Sequence, residues 1–393
     1  RVESNSVSYF DYGKRLAVST FSDYRSFATS YQARSNDKAQ ATPAIAELAR
    51  TLTAGLANDR AKAFALHDWV RKNIRYVAVY VGAGGVVPHA ASAVLENRYG
   101  DCKDHTVLLE AMLGAIGIAS TPALINADNA YQLPSAPTLG LFNHVINYIP
   151  SLDLYLDSTA SNIAPGYLPG PQRGKPVLLT KTGVIARTPA VQAVRHHNVV
   201  RYKVNAEGKM SMELSKTAGG SMAEPFRRTV RDTAQADREM MVERMLKDMG
   251  QIGSGVMEPG DVDGTGDDYV MGFRGTSENF IYLPGPTGVQ TTYSFWGGLG
   301  EAAFGMTGEK ERTQSYDCVS YDVTDDATFE FAEGIEVMAL PSAFQLKDDY
   351  FTYDASYVRD GNSVRVRRGL KFHHHSAVCT PDDFRRTHPS LHR

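Results

Sequence analysis

One cysteine stands where its thiol could act as a nucleophile. In Arg98-Tyr99-Gly100-Asp101-Cys102-Lys103-Asp104-His105, Cys102 follows Gly-Asp and opens a segment whose apolar residues Val107, Leu108, Ala111, Met112 and Ala115 recur at helical spacing. A helix N-terminus presents unpaired main-chain N–H groups and the positive end of the helix dipole. A thiol held there has its thiolate, the nucleophilic form, stabilised. The same N–H groups could hold the oxyanion of a tetrahedral intermediate. A buried free cysteine is as readily inert packing, so this segment alone does not decide.

A histidine and an aspartate further on supply possible partners. In Phe142-Asn143-His144-Val145-Ile146-Asn147-Tyr148, the run His144 to Tyr148 reads as a strand, as does Leu154 to Asp157, on either side of Pro150-Ser151-Leu152-Asp153, a hairpin pattern. His144 and Asp157 are equidistant from the Pro150–Ser151 peptide. A hairpin turning there sets them directly opposite each other on one face, with Cβ atoms about 4.5–5.5 Å apart. A carboxylate on one imidazole nitrogen fixes the tautomer and stabilises the imidazolium, as in the orienting part of a triad. A register slip of one residue would put the side chains on the wrong faces. Taken singly, His144 reads as a satisfied core or surface histidine and Asp157 as a turn residue. The joint order Cys, His, Asp is harder to dismiss.

The elements that must position these residues follow from periodicity. Arg1 to Thr20 reads as one or two strands. Pro43 to Ile74 is helical in two pieces, carrying Ile45, Leu48, Ala49, Leu52 and then, after Asn58-Asp59, Ala63, Phe64, Leu66, His67, Val70. A strand at Ile74–Val81 runs into a loop, Gly82-Ala83-Gly84-Gly85 with Pro88. The helix from Cys102 to Ile116 ends at Gly117, and strands are expected at Pro122–Ile125 and Val177–Thr180 besides the hairpin. A boundary near 190 follows. Beyond it come a hairpin of Val199–Val204 and Lys209–Leu214, a helical segment from Met222 to Met249, and strands at Tyr269–Phe273, Thr328–Phe331 and Ser363–Val366.

A chain of 393 residues is long enough for two or three domains, each with its own core. Lys+Arg 41 against Asp+Glu 44 leaves a net charge of −3, so no basic field points to nucleic acid. No apolar run approaches the ~20 residues that span a bilayer. Three cysteines exclude a disulfide scaffold and leave one pair and one free thiol. Bonding between Cys318 and Cys379 would imply an oxidising compartment and leave Cys102 free; the sequence leaves that pairing open. The chain begins at Arg1 without a visible signal peptide and reads as a fragment or processed form.

Tyr99-Gly100-Asp101-Cys102-Lys103-Asp104 followed by Leu108-Leu109-x-Ala111-Met112-Leu113 and Gly117-Ile118, then Phe142-Asn143-His144, then Leu156-Asp157-Ser158-Thr159, closely resembles the bacterial transglutaminase-like superfamily. Upstream Ile74-Arg75-Tyr76 and Pro88 fit the same pattern, and the likeness covers about residues 43–185. It resembles in particular the group with β-rich domains of unknown function on either side. The resemblance implies an α+β fold, a papain-like core followed by a β-rich accessory domain with one long helical segment. The implied domains are 1–40 (the end of a truncated N-terminal β-rich domain), 41–190 (the core) and 191–393 (the accessory domain). It further implies Cys102 as nucleophile, His144 as general base and acid, and Asp157 as orienting carboxylate.

That chemistry is acyl transfer from peptide or glutamine-type amides through a thioester. Hydrolysis is the favoured outcome. Transfer to an amine, as in a transglutaminase, is the alternative, and a non-catalytic scaffold is the rival from a different class. No metal or organic cofactor is required. The expected partner is a peptide or protein substrate, with no nucleic acid and no membrane span, and the oligomeric state is unknown. Export to the periplasm or beyond is implied by the resemblance together with a Cys318–Cys379 bond.

Other motifs have plainer readings. Cys102-x-x-His105 with His144 falls short of the four closely spaced ligands of a structural zinc site. Asp261-x-Asp263-x-Thr265-Gly266-Asp267-Asp268 starts like a calcium loop but has Gly272 where the bidentate Glu belongs, so it reads as an acidic turn. His373-His374-His375 reads as a solvated loop with incidental metal affinity. Gly82–Gly85 lacks the features of a phosphate loop and could form a rim of the cleft. The methionines of 222–249 read as core packing.

Overall fold

The structure, a computed structural model, describes residues 3–78, 85–190, 192–289 and 297–391. The chain divides into two compact units. The first comprises residues 1–191 with the short segments 315–317 and 376–378; the second comprises the remainder.

Among the described residues of the first unit, six α-helices precede the sheet: α1 (Tyr9–Tyr12), α2 (Tyr24–Ser35), α3 (Pro43–Thr53), α4 (Asp59–Asn73), α5 (Ala91–Asn97) and α6 (Cys102–Ala115). Their starts follow from the residues that cap them. Thr42 accepts from Ile45 N with Pro43 in the first turn, and Asn58 accepts from Ala61 N. A parallel two-stranded ribbon joins β1 (Arg75–Tyr76) to β2 (Tyr99–Gly100) just before α6. The main sheet contains β3 (Thr121–Ile125), β4 (His144–Ile149), β5 (Leu154–Leu156), β6 (Pro176–Leu179) and β7 (Val184–Arg187) in the order β5-β4-β3-β6-β7. All its pairings are antiparallel. Helix α6 is nearly surrounded: Val107, Leu108, Leu109, Ala111, Met112 and Leu113 are buried with Ile45, Leu66, Val70, Ile149 and Leu156 in one core.

Residues 3–40 depart from the expected strands and from the end of a β-rich domain. They carry α1 and α2, and their one β contact is an isolated bridge from Ser6 to Tyr316. The short alternation around Val7 is satisfied by packing against Tyr131 and Ala377. Helix α2 places Phe27, Ala28 and Tyr31 against Leu124, Phe142, Val145 and Leu178 of the sheet region. The expected strand Ile74–Val81 is realised as Arg75–Tyr76, and its residues 79–81, like Gly82–Gly84 of the loop, lie outside the described residues.

The second unit is built on an eight-stranded sheet. Its strands are β8 (Val194–Val204), β9 (Met210–Gly219), β10 (Gly253–Glu258), β11 (Asp268–Ser277), β13 (Tyr321–Phe331), β14 (Phe344–Lys347), β15 (Phe351–Asp360) and β16 (Ser363–Phe372). The order is β10-β11-β9-β8-β13-β16-β15-β14, with β8 and β13 parallel and the other pairs antiparallel. Two short strands, β12 (Tyr316–Asp317) and β17 (Val378–Cys379), pair separately, and of these residues 316–317 and 378 belong to the first unit. Clean alternation in β8 buries Val200, Tyr202 and Val204 while Arg201 and Lys203 face solvent.

The helical segment expected at 222–249 is two helices, α7 (Ala223–Asp232) and α8 (Gln235–Asp248). A continuous helix would carry the buried stripe of Phe226 and Val230 onto Asp237. Breaking at Thr233-Ala234 instead lets α8 bury Val242 and Leu246. Met222, Met245 and Met249 pack against this core. Helices α9 (Leu299–Thr307) and α10 (Pro381–Leu391) complete the unit. The acidic turn is held by cations: Arg227 donates to the carbonyls of Gly266 and Asp268, and Arg231 pairs with Asp263. Among the described residues, no helix is long and apolar enough to cross a membrane.

Candidate active site

Cys102 is the first residue of α6, and its neighbours explain why the helix begins there. Asp101 is the N-cap, accepting from Lys103 N at 3.2 Å, while Asp104 reaches back to Asp101 N at 3.3 Å. Gly100 is required for this return, because a Cβ at that position would stand 2.5 Å from the Cβ of Asp104. Asp104 also accepts from His89 N at 2.8 Å, and Asp101 forms a buried ion pair with Lys103. Thr106 then ties the first turn to β4: its hydroxyl lies 2.9 Å from Cys102 O and 3.2 Å from Val145 O. Asn147, also on β4, donates to Thr106 O at 3.0 Å. The helix start and the strand that opens with His144 are thereby held in register.

His144 Nε2 lies 2.9 Å from Asp157 Oδ2, and the Cys102 thiol is near enough to the imidazole to act on it electrostatically. With Nε2 committed to Asp157, Nδ1 is the nitrogen left for the thiol. The register differs from the one expected. Strands β4 and β5 pair Ile149 with Leu154 and Asn147 with Leu156, so Asp157 comes opposite Ile146 and lies diagonally from His144. The cause is a longer turn, a 3-10 helix at Pro150–Leu152 closed by Asp153 with φ 44°. A displacement of two residues keeps both side chains on one face, and the hydrogen bond survives it.

The electrostatics are those of a stabilised ion pair. Burial by itself lowers the pKa of His144, but the Asp157 carboxylate, its hydrogen bond and the contact with Cys102 outweigh burial and push it up to about 10. Burial would raise Asp157; the imidazolium and hydrogen bonds from His144, Gln172 and Thr159 instead hold it well below the usual carboxylate range. Gln172 Nε2 donates to Asp157 Oδ2 at 2.5 Å, and Thr159 donates to Oδ1 from N at 2.9 Å and from Oγ1 at 2.7 Å. Behind them His67 is buried, and burial holds it down to about 4 and so neutral, against the opposing pull of the Asp157 main chain and carboxylate.

Sequence reasoning missed Gln172, Thr159 and the role of His67. Thr159 was detectable as the second residue after an aspartate, the spacing of an Asx turn. His67 lay within an apolar stripe, and Gln172 carries no local signal. The thiol itself sits among aromatic groups, with Phe21, Tyr24, Phe27, Tyr31 and Phe142 in the same apolar cluster. The loop leading to His144 is braced from the N-terminal segment: Asp11 accepts from Tyr131 N and Gln132 N, and Tyr24 donates to Pro134 O. His105 is buried with its ring nitrogens 2.9 Å from Asp101 O and 3.1 Å from Ile74 O, so both nitrogens face main-chain carbonyls rather than a metal beside Cys102.

Residues 46–131 match the family model of the transglutaminase-like superfamily. That stretch is transglutaminase-like. The matched stretch of this transglutaminase-like core includes Cys102 and ends before His144 and Asp157. Residues 300–386 match a domain of unknown function with a solved structure (DUF3858). The chain is similar over its whole length to a candidate protease from Parabacteroides distasonis ATCC 8503, at 16% identity and a TM-score of 0.58, a likeness of fold. It spans 61% of that protein's length. A candidate cysteine protease from Cytophaga hutchinsonii matches 30% of the chain and 37% of its own, at 20% identity and a TM-score of 0.23. Among curated proteins, none matches the sequence.

Proposed function

We propose that the protein is a cysteine-dependent enzyme that hydrolyses peptide or glutamine-type amides. The observation that carries this reading is the His144–Asp157 hydrogen bond of 2.9 Å, with the imidazole within electrostatic reach of the Cys102 thiol at the start of α6. In the proposed reaction the Cys102 thiolate attacks the amide carbonyl carbon. The carbonyl oxygen becomes an oxyanion, stabilised by main-chain N–H groups at the helix start. His144 gives its Nδ1 proton to the leaving nitrogen as the C–N bond breaks, which leaves a thioester on Cys102. Water then attacks the thioester, His144 takes its proton, and the C–S bond breaks to return the thiolate. Asp157 holds the imidazole in place and stabilises its charge throughout.

A periplasmic or exported setting belongs to the same reading, supported by the disulfide between Cys318 and Cys379, since such bonds persist in oxidising compartments. The test is incubation with a peptide library and a primary amine, with products and Cys102 adducts identified by mass spectrometry. Hydrolysed amides and a Cys102 thioester, both lost in Cys102→Ser, are expected. Amine conjugates in place of hydrolysis products would reassign the acceptor and make the protein a transglutaminase. No Cys102-dependent product, together with a thiol that alkylates like free cysteine at every pH, would overturn the enzyme reading in favour of a scaffold.

A further inference from the structure

His374 does not lie in a solvated loop. It is buried, as is Cys379, and its Nδ1 lies 3.2 Å from Cys379 Sγ. Cys379 is bonded to Cys318 across a sequence separation of 61, with the Cα atoms 5.5 Å apart. Ligand atoms of Cys318, His374 and Cys379 all lie within 4.8 Å of one another, and among the described residues this is the one group of three or more His, Cys, Asp or Glu side chains so placed. The imidazole is held where it stands: His374 N donates to Ser320 Oγ at 3.1 Å, and the ring packs edge-on against Phe372 with centroids 4.5 Å apart.

We propose that Cys318, His374 and Cys379 form a zinc site in the reduced chain, which oxidation to the disulfide closes. A dithiol or phosphine reductant supplies two electrons and two protons, and the S–S bond becomes two thiols. Zinc displaces the two thiol protons to solvent and is bound by two thiolates and a neutral imidazole, so its two positive charges are cancelled within the buried site. Zinc–sulfur bonds of about 2.3 Å and a zinc–nitrogen bond of about 2.0–2.1 Å in tetrahedral geometry require S···N near ~3.6 Å and S···S near ~3.8 Å. The imidazole is already within a few tenths of an ångström of its place, and the sulfurs separate when their bond breaks. Cys318 is partly exposed, which leaves a side from which water can fill the fourth position. Two thiolates and one imidazole suit zinc better than a hard cation. Zinc would also keep closed the loop that the disulfide closes.

The test uses the full chain with Cys102→Ser, so that no other thiol is present. Zinc binding is measured against a chromogenic chelator before and after phosphine reduction, with cobalt as a spectroscopic probe. One equivalent of zinc bound only after reduction, with thiolate-to-cobalt charge transfer, is expected. His374→Ala and Cys318→Ser should each weaken binding by at least the about 10–100-fold that loss of a merely supporting residue costs. A His373→Ala/His375→Ala double variant should bind as the parent does. Zinc left with the chelator after reduction, equal binding by the oxidised chain, or no effect of His374→Ala would each overturn the proposal. If reduction unfolds the chain, zinc added during reduction must restore the near-ultraviolet circular dichroism at one equivalent; failure to do so also overturns it.

Discussion

Asp157→Asn keeps the size of the side chain and removes its charge, which makes it the most discriminating change at the site. Four donors converge on the carboxylate: Thr159 N and Oγ1 on Oδ1, and His144 Nε2 and Gln172 Nε2 on Oδ2. A carboxylate accepts all four, whereas an amide has one oxygen and brings two N–H donors of its own. Whichever way the amide turns, two donors meet its NH2 group. Turned toward Thr159, it orphans a main-chain N–H; turned toward His144, it forces the imidazole proton onto the nitrogen that faces Cys102. His144 also loses the charge that outweighs its burial, so its protonated form is no longer favoured up to about 10.

In the parent, the imidazolium–thiolate pair should persist as the pH falls, and the rate of Cys102 alkylation by iodoacetamide should stay level to about pH 6. In the variant the imidazolium no longer stabilises the thiolate, so at about pH 6.5 the rate should drop about 100-fold. Rates are to be measured from about pH 5 to 9, with the modified peptide mapped by mass spectrometry. The shape of the profile decides, since a less basic thiolate is also a weaker nucleophile. A parent rate that climbs steadily through this range, with the Asp157→Asn profile superimposed on it, would refute the reasoning.

Gln172→Leu removes one charge-assisted hydrogen bond from Asp157, worth about 1.5–3 kcal/mol, so the unfolding midpoint should fall and the alkylation plateau should shorten without vanishing. A variant indistinguishable from the parent in both measurements would show that Gln172 supports nothing. Asp101→Ala leaves Lys103 buried without its partner and should cost about 3–5 kcal/mol in denaturant unfolding. Asp101→Ala/Lys103→Met should recover much of that loss, and equal losses in the single and double variants would contradict the account. The pH dependence of the His144–Asp157 pair has a definite sign. The His144 contribution is fully present below its ordinary 6.5 and is lost as pH rises through about 10, while the Asp157 contribution is present above its ordinary 3.8 and is lost in acid. The stability difference between the parent and His144→Ala should therefore be greatest between these ordinary values and shrink toward alkaline pH; a difference that grows from neutral to alkaline pH would contradict it.

The parts of the first unit that sequence made legible are those whose signals are local. Helix α6 has an apolar stripe, a cap and a terminating glycine, and β3, β4 and β6 are short apolar runs between turn residues. Helix α2 escaped notice because its buried residues, Phe27, Ala28, Tyr31 and Ser35, include a serine and a tyrosine within an otherwise polar sequence. Its Asp23–Ser26 capping box was the available clue. Residues 3–20 look extended because some are, yet Val7 finds Tyr131 and Ala377, which only tertiary folding can bring to it. The same distinction governs the site. Cys102, His144 and Asp157 each sit in a motif that marks an element's start or end. Gln172, fifteen residues from Asp157 in sequence, and His67, on α4, come to the neighbourhood of Asp157 only once the core has formed.

The hairpin carrying His144 and Asp157 shows why a partly wrong expectation could still find the right pair. Pro150-Ser151-Leu152-Asp153 is compatible with a two-residue turn at Pro150–Ser151 and with a four-residue loop, and nothing in its composition separates them. The loop is realised because a 3-10 turn begins at Pro150 and Asp153 takes up a left-handed conformation, which aspartate tolerates better than most residues. Moving from two loop residues to four shifts the pairing by an even number, and strand side chains repeat every two residues. Asp157 therefore stays on the face of His144 and closes on it diagonally at 2.9 Å, with the histidine reaching across rather than straight over. An odd shift would have carried the carboxylate to the other face, where no rotamer of His144 could meet it. The pairing of these two residues thus depends on the parity of the turn more than on its length.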